Sequence, residues 1–331
     1  MKKILLRLAA HEVLSKEEAE QVMLNMAAGQ YSNEHIAAFL TVFNMRAITL
    51  DEFVGFRDAL LTTAKKIDLS DFETVDVVGT GGDGKNTFNI STLSCFVLAG
   101  AGFKVAKHGN FGSSSVSGAS NVLLHYGANF TNDEDIIKKS IDQSGFCFLH
   151  APLFNPGMKY AAPVRKALAV PTFFNLMGPL INPARPNHQL WGVYNLEKTR
   201  LYNYVCQKTG IDYTLAHSTD GYDEISLTAP AKIITRNSET VVTPEQLGFE
   251  RASQASLSGG DSVESAAVIF MNVLDNKATA AQKNAVLANA AFAIQNVHKD
   301  KDIQDCIGMA RESLESGKAK KAFEKFIEIY C

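Results

Sequence analysis

The chain of 331 residues is 46% hydrophobic and 20% charged, an ordinary globular composition with length for two domains or one large one. Its formal net charge of -3 supplies no global basic field of the kind that holds a nucleic-acid backbone. The odd set Cys95, Cys147, Cys206, Cys306 and Cys331 has no Cys-x-x-Cys or Cys/His ligand spacing, so reduced thiols in a cytoplasmic protein are expected. Arg7, His11 and Glu12 interrupt the first apolar run, so neither a signal nor a membrane segment is expected.

Residues 1 to about 70 are expected to form a small all-helical unit. Apolar Ile36, Phe39, Leu40 and Phe43 recur at i, i+3, i+4 and i+7, the spacing of one buried helix face. Ser15 with Glu18 and Thr49 with Glu52 match capping boxes, in which a hydroxyl and a carboxylate satisfy free N–H groups of a first turn.

At Thr74 the pattern changes. Val75-Asp76-Val77-Val78 is a β-branched run ending in glycines, followed by a helical stretch from about Ser91 to Gly102 and a strand from Phe103 to Ala106. Further strands are expected from Phe146 to Leu149, Leu190 to Tyr194, Tyr213 to His217 and Lys232 to Thr235. Helical stretches such as Glu197 to Lys208 lie between several of them, and the tail from Val263 reads mostly as helices. Alternation of this kind predicts a parallel α/β sheet. Pro163, Pro171, Pro179 and Pro183 prevent one long helix through residues 156–185, which reads as a crossing between domains.

Gly79-Thr80-Gly81-Gly82-Asp83-Gly84 follows the first strand, and its glycines let backbone N–H groups approach a phosphate without side-chain obstruction. Gly79, Gly81 and Gly84 match the dinucleotide fingerprint G-x-G-x-x-G, but the helix does not start at once and the next strand offers Lys104 rather than an acid. Gly79 to Lys85 also fits the start of a nucleotide-triphosphate P-loop, yet Asn86 replaces the hydroxyl that would meet magnesium. The next stretch, Asn86-Thr87-Phe88-Asn89-Ile90-Ser91-Thr92, places hydroxyls and amides at an expected helix N-terminus, where the macrodipole favours anions. A plain N-cap would need only one of these side chains.

A second anion cradle is expected at the end of the next strand: Lys107-His108-Gly109-Asn110, then residues 113–118 leading into a helix from Ala119 to His125. Two cradles at strand ends suit one extended, multiply phosphorylated ligand, because open α/β sheets bind ligands outside the carboxyl ends of their strands.

With both loops in view, the sequence resembles the anthranilate phosphoribosyltransferases. The resemblance rests on Gly79-Thr80-Gly81-Gly82-Asp83, Asn89-x-Ser91-Thr92, Lys107-His108-Gly109-Asn110, Asn175-x-x-Gly178-Pro179-Leu180-x-Asn182-Pro183, and Asp223-Glu224 after Ser218-x-Asp220-Gly221. It implies a small helical domain of residues 1–70, joined by part of 156–185. Beside it would stand an α/β domain of residues 71–331 with a central, mostly parallel sheet of the nucleoside phosphorylase/phosphoribosyltransferase type. The implied reaction moves the 5-phosphoribosyl group of phosphoribosyl diphosphate to the anthranilate amine with release of pyrophosphate, a step of tryptophan synthesis.

The resemblance assigns phosphoribosyl diphosphate to Gly79, Gly82, Asp83, Thr87, Asn89, Ile90, Ser91, Thr92, Lys107, His108, Gly109, Asn110, Ser113, Ser114, Ser115 and Ala119. It assigns anthranilate to Gly79, Asn110, Asn155 and Arg165, and magnesium, as two ions, to Ser91, Asp223 and Glu224. No covalent nucleophile is implied, and the expected assembly is a cytoplasmic homodimer with no membrane or nucleic-acid partner. Magnesium prefers oxygen ligands and commonly joins one or two carboxylates to substrate phosphates. A planar guanidinium grips a carboxylate in bidentate fashion. Three positions depart from the family pattern, which often has histidine at Asn155, arginine at Phe111 and serine at Ala119.

Two other readings compete. A pyrimidine nucleoside phosphorylase shares the general fold and a glycine-rich phosphate loop but does not need the Asp223-Glu224 pair. A non-catalytic relative that binds nucleic acid through a basic cleft fits poorly with the net charge of -3.

Overall fold

The computed structural model describes residues 1–112 and 118–331. Two compact units are present: residues 1–67 with 151–185, and residues 68–150 with 186–331.

The first unit opens with α1 (Lys2–Ala9), α2 (Lys16–Ala27), α3 (Asn33–Met45) and α4 (Leu50–Thr63). Both expected capping boxes form, Ser15 with Glu18 at the head of α2 and Thr49 with Glu52 at the head of α4. The α3 stripe Ile36, Phe39, Leu40 and Phe43 is buried, as its spacing requires. Glu52 does more than cap. Its side chain is fully buried, meets the Arg46 guanidinium through both oxygens at 2.5 and 3.0 Å, and accepts from the backbone N–H of Leu14 at 3.0 Å. One carboxylate thereby ties the α1–α2 connection to α4.

In the second unit β1 (Thr74–Gly79), α5 (Ile90–Gly100), β2 (Lys104–Gly109), α6 (Ala119–His125), α7 (Glu134–Ser144) and β3 (Phe146–His150) follow in turn. α5 is apolar on every side and buried from Ile90 to Ala99 apart from Ser91, the signature of a helix enclosed by neighbours. β2 runs three residues further than its apolar run suggests. The polar Lys107 is accommodated inside the strand because its ammonium donates to the Val77 carbonyl at 2.6 Å.

The chain then returns to the first unit through α8 (Ala151–Phe154), a 3-10 turn at Pro156–Met158, α9 (Ala161–Leu168), and 3-10 turns at Phe173–Leu176 and Gly178–Ile181. The prolines keep these pieces short. Phe173 enters the aromatic core of that unit, with ring centroids 4.6 Å from Phe56, 5.5 Å from Phe43 and 6.4 Å from Phe39. Each such pair adds about 0.5–1.5 kcal/mol beyond its buried area.

Back in the second unit come β4 (His188–Gly192), α10 (Leu196–Thr209), β5 (Asp212–Ser218), β6 (Ala231–Thr235) and β7 (Glu239–Val242). The expected helical tail comes next as α11 (Val263–Leu274), α12 (Ala280–Val297), α13 (Ile303–Glu315) and α14 (Lys318–Tyr330). The seven strands lie in the order β3-β2-β1-β4-β5-β6-β7, with neighbours parallel from β3 across to β5 and antiparallel from β5 to β7. The mostly parallel α/β class is therefore borne out. β7 has no counterpart in the apolar pattern, because it is a short, largely exposed edge strand. From β1 the chain winds outward to β2 and β3, then crosses back to place β4 on the other side of β1. The strand order reverses between β1 and β4, and that switch point is where open α/β sheets bind ligands.

Candidate functional site

At the switch point the carboxyl ends of two neighbouring strands are both glycine: Gly79 closes β1, Gly192 closes β4, and the two are in register. Asp223 fills the space that their missing side chains leave. A Cβ on Gly79 would stand 2.2 Å from Asp223 Oδ2, and one on Gly192 would stand 1.6 Å from the Asp223 carbonyl oxygen. The glycines are required here by close approach of the acid-bearing segment.

The glycine loop is drawn onto the same carboxylate. Thr80 N–H donates to the Gly192 carbonyl at 2.9 Å, and Gly81 N–H donates to Asp223 Oδ2 at 2.6 Å. Gly81, Gly82 and Gly84 all take positive φ, which permits the sharp reversals between them. Asp83 Oδ1 accepts from the N–H of Lys85 at 2.9 Å, and the Lys85 ammonium sits 4.8 Å from the centre of the Tyr222 ring. At the far end, the Asn86 amide donates to the Gly260 carbonyl at 2.5 Å, Thr87 bridges Ser258, and Phe88 N–H donates to the Leu257 carbonyl at 3.1 Å. The whole loop is thus pinned at its exit from β1 and at its entry into α5.

α5 begins at Ile90 with Asn89 as N-cap residue, although the Asn89 side chain makes no capping bond. Glu224 takes that place: its Oε1 accepts from the N–H of Ser91 at 2.9 Å, so a carboxylate occupies the positive end of the helix. Asn89, Ile90 and Thr92 are buried around it. Expected phosphoribosyl-diphosphate residues from Gly79 through Thr92 and the acids Asp223 and Glu224 are therefore brought together at one end of the sheet.

Asp223 and Glu224 are each 8% exposed. Burial and then the neighbouring Asp83 raise the Asp223 carboxyl to about 7. Burial and then Asp223 raise Glu224 well above the ordinary carboxylate range, against the opposing pull of the Ser91 N–H. Two adjacent buried acids that resist ionisation together are a site prepared for added positive charge. Among the described residues no group of three or more His, Cys, Asp or Glu side chains converges as a self-contained metal centre.

Sequence reasoning missed what holds the acids in place. Ser218 Oγ donates to the Glu224 carbonyl at 2.7 Å, and the buried Asn289 of α12 brackets Ile225 by accepting from its N–H at 3.1 Å and donating to its carbonyl at 2.9 Å. Asn289 stands 64 residues beyond Ile225 inside an apolar helix, and an amide in a run of alanines is the only signal it gives.

The second cradle sits deeper than its sequence suggests. Lys107 and His108 lie inside β2 and are 2% and 4% exposed, whereas Asn110 is exposed beyond the strand end. Gly109 closes β2, and Ala119 is the first residue of α6. Ser113, Ser114 and Ser115 lie outside the described residues. Phe111, one of the three positions expected to depart from the family pattern, packs edge-on to the His150 ring at 5.2 Å. His150 receives or gives a hydrogen bond with Ser120 Oγ at 3.0 Å, and burial lowers its pKa.

The remaining expected residues, Asn155 and Arg165, belong to the first unit. Asn155 is buried just before the Pro156–Met158 turn and donates to the Ala151 carbonyl at 3.3 Å without capping the turn through its side chain. Arg165, on α9, lies over the Phe174 ring at 5.3 Å and donates from Nη2 to Asn175 Oδ1 at 3.3 Å.

Comparison with known proteins places the family and the fold. The family described as "Glycosyl transferase family, a/b domain" matches residues 71–320, and "Glycosyl transferase family, helical bundle domain" matches residues 2–64. Anthranilate phosphoribosyltransferases of Bacteroides fragilis and Flavobacterium johnsoniae are 53% and 55% identical over 329 residues, each covering 99% of both chains. Among solved structures, the Thermus thermophilus enzyme of that name superposes with a TM-score of 0.92 at 31% identity, covering 98% of each chain. The Saccharomyces cerevisiae enzyme, in complex with PRPP and Mg, superposes with a TM-score of 0.89 at 26% identity, covering 96% of this chain and 93% of its own. These relatives favour neither the phosphorylase nor the nucleic-acid reading.

Proposed function

This chain belongs to the anthranilate phosphoribosyltransferase family, and on that premise we propose which of its residues carry the family's glycosyl transfer. The observation that carries the reading is the seating of Asp223 on Gly79 and Gly192, with Gly81 and Ser91 donating N–H groups to the acid pair. Phosphoribosyl diphosphate is bound along the glycine loop and the N-terminus of α5, by Gly79, Gly82, Asp83, Thr87 and Asn89 through Thr92. The Lys107 to Ser115 segment and Ala119 complete that set. Backbone N–H groups of the loop meet the diphosphate oxygens, where charge builds as the anomeric bond breaks.

The donor set fits magnesium. Asp223 and Glu224 are buried acids whose ionisation is held back by burial and mutual repulsion, and a hard divalent cation shared with substrate phosphates relieves both. Ser91 would contribute its hydroxyl. When bound, the cation would supply charge neutralisation of the leaving diphosphate. The finer expectation, two ions, rests on the resemblance, with Asp83 as a further acid beside the pair.

Anthranilate is oriented by Arg165, whose guanidinium suits its carboxylate, with Asn155, Asn110 and Gly79 as the other acceptor residues. Its amine is neutral and nucleophilic near neutral pH, so orientation supplies most of what the acceptor needs. No side chain is asked to act as a covalent nucleophile.

A homodimer and a cytoplasmic location are part of the same reading. Leu6, Val13 and Met45 of the first unit are apolar and exposed, as residues covered by a second copy would be, and sedimentation would give the mass. No helix among the described residues is long and apolar enough to cross a membrane. The activity is tested by following anthranilate fluorescence. It should fall only when phosphoribosyl diphosphate and a divalent cation are both present; loss without the phosphoribosyl donor would refute the reading.

A further inference from the structure

Arg165 is a half-buried cation without a counter-ion among the described residues. Its Nε is buried and makes no hydrogen bond among them. Burial alone moves its pKa, downward, with no carboxylate near enough to oppose the shift. Taking a charge out of water without an opposite charge is costly, so this guanidinium keeps its positive charge unspent. Its hydrogen-bonding side-chain partner is Asn175, through Nη2 to Oδ1 at 3.3 Å.

Asn175 Oδ1 is itself fixed, because it also accepts from the backbone N–H of Thr172 at 3.1 Å at the start of the Phe173–Leu176 turn. The preceding residue, Phe174, supplies the ring beneath the guanidinium. Orientation is therefore imposed by a neutral acceptor and an aromatic face. An aspartate at 175 has the same shape and would accept both bonds, yet it would pair with the guanidinium and neutralise it.

We propose that Asn175 is a positioning and specificity residue for the acceptor: its neutral amide oxygen aims Arg165 while leaving the whole charge for the carboxylate of the aromatic amine. The proposal rests on Arg165 meeting the acceptor and adds the reason for its selectivity.

The test compares wild type, Asn175→Asp, Asn175→Ser and Arg165→Ala by the Michaelis constants for anthranilate and phosphoribosyl diphosphate, and by inhibition with 2-aminobenzamide, the uncharged analogue of anthranilate. Asn175→Asp should raise the anthranilate constant by at least about tenfold, the loss of one charge-assisted contact, leave the donor constant within about twofold, and reduce the preference for anthranilate over 2-aminobenzamide. A defect of folding alone would weaken both acceptors alike, and that result would overturn the proposal. If Asn175→Asp fails to fold, Asn175→Ser still must lose carboxylate preference; wild-type preference in that variant overturns it. An anthranilate constant unchanged in Arg165→Ala would instead remove Arg165 from the acceptor site and take the premise with it. A raised constant in Arg165→Ala beside an unchanged one in Asn175→Asp would defeat the role of Asn175 alone.

Discussion

The N–H of Gly81 donates to Asp223 Oδ2 at 2.6 Å, so the glycine loop and the acid pair are joined directly by the protein's own hydrogen bonds. Preorganisation of this kind means that binding does not have to order the loop. It also explains why β1 and β4 both end in glycine, since any side chain there would collide with Asp223.

Gly79→Ala should therefore displace the Asp223 carboxylate while leaving the helices of the first unit folded. A misplacement near 1 Å can cost on the order of a hundredfold in rate, so activity should fall by about that factor while far-ultraviolet circular dichroism is preserved. Wild-type turnover in Gly79→Ala would show that the close approach has no part in the reaction.

The buried carboxylate of Glu52 gives a stability prediction with a definite sign. Burial raises its pKa, but the hydrogen bonds from Arg46, Leu14 and Thr49 outweigh that and leave it below the ordinary value of 4.5. A depressed folded-state pKa contributes stability that is fully present above pH about 4.5 and is lost as pH falls through the folded value. Glu52→Gln strands the Arg46 charge and should cost about 3 kcal/mol at neutral pH. Urea midpoints for the two proteins should converge in acid; a gap that stays constant from pH 7 to pH 3 would assign the effect to something other than the carboxylate charge.

Much of this was legible in the residues. Capping boxes at Ser15 and Thr49 and the α3 stripe read directly, because they depend on neighbours within one or two helical turns. The glycine loop and Asp223-Glu224 could be named, but their meeting could not, since it is made by the β1–β4 register across more than 100 residues. Lys107 read as a loop cation, whereas its long stem reaches across the sheet to the Val77 carbonyl. Asn289 left no local pattern, because it acts on the backbone of Ile225, 64 residues away, whereas Asn175 could be named in a motif but its bond to the Arg165 guanidinium could not.

The family resemblance implies histidine at the position of Asn155, and the asparagine amide cannot titrate. With wild type, the anthranilate Michaelis constant should be flat between pH about 5.5 and 7.5, the window around an unperturbed histidine near 6.5. Asn155→His should make that constant fall toward acid pH, as a protonated imidazole attracts the carboxylate. Two parallel flat profiles would exclude residue 155 from acceptor binding.

The role proposed for Asp223 and Glu224 is to hold a divalent cation together with the phosphoribosyl donor, and calorimetric titration of phosphoribosyl diphosphate measures that role directly. Wild type, Asp223→Asn and Glu224→Gln would each be titrated in magnesium and in excess chelator. Magnesium should tighten donor binding to wild type by at least about tenfold, and either substitution should remove most of that gain by deleting a charge opposite the cation. Equal enhancement by magnesium in all three proteins would contradict it.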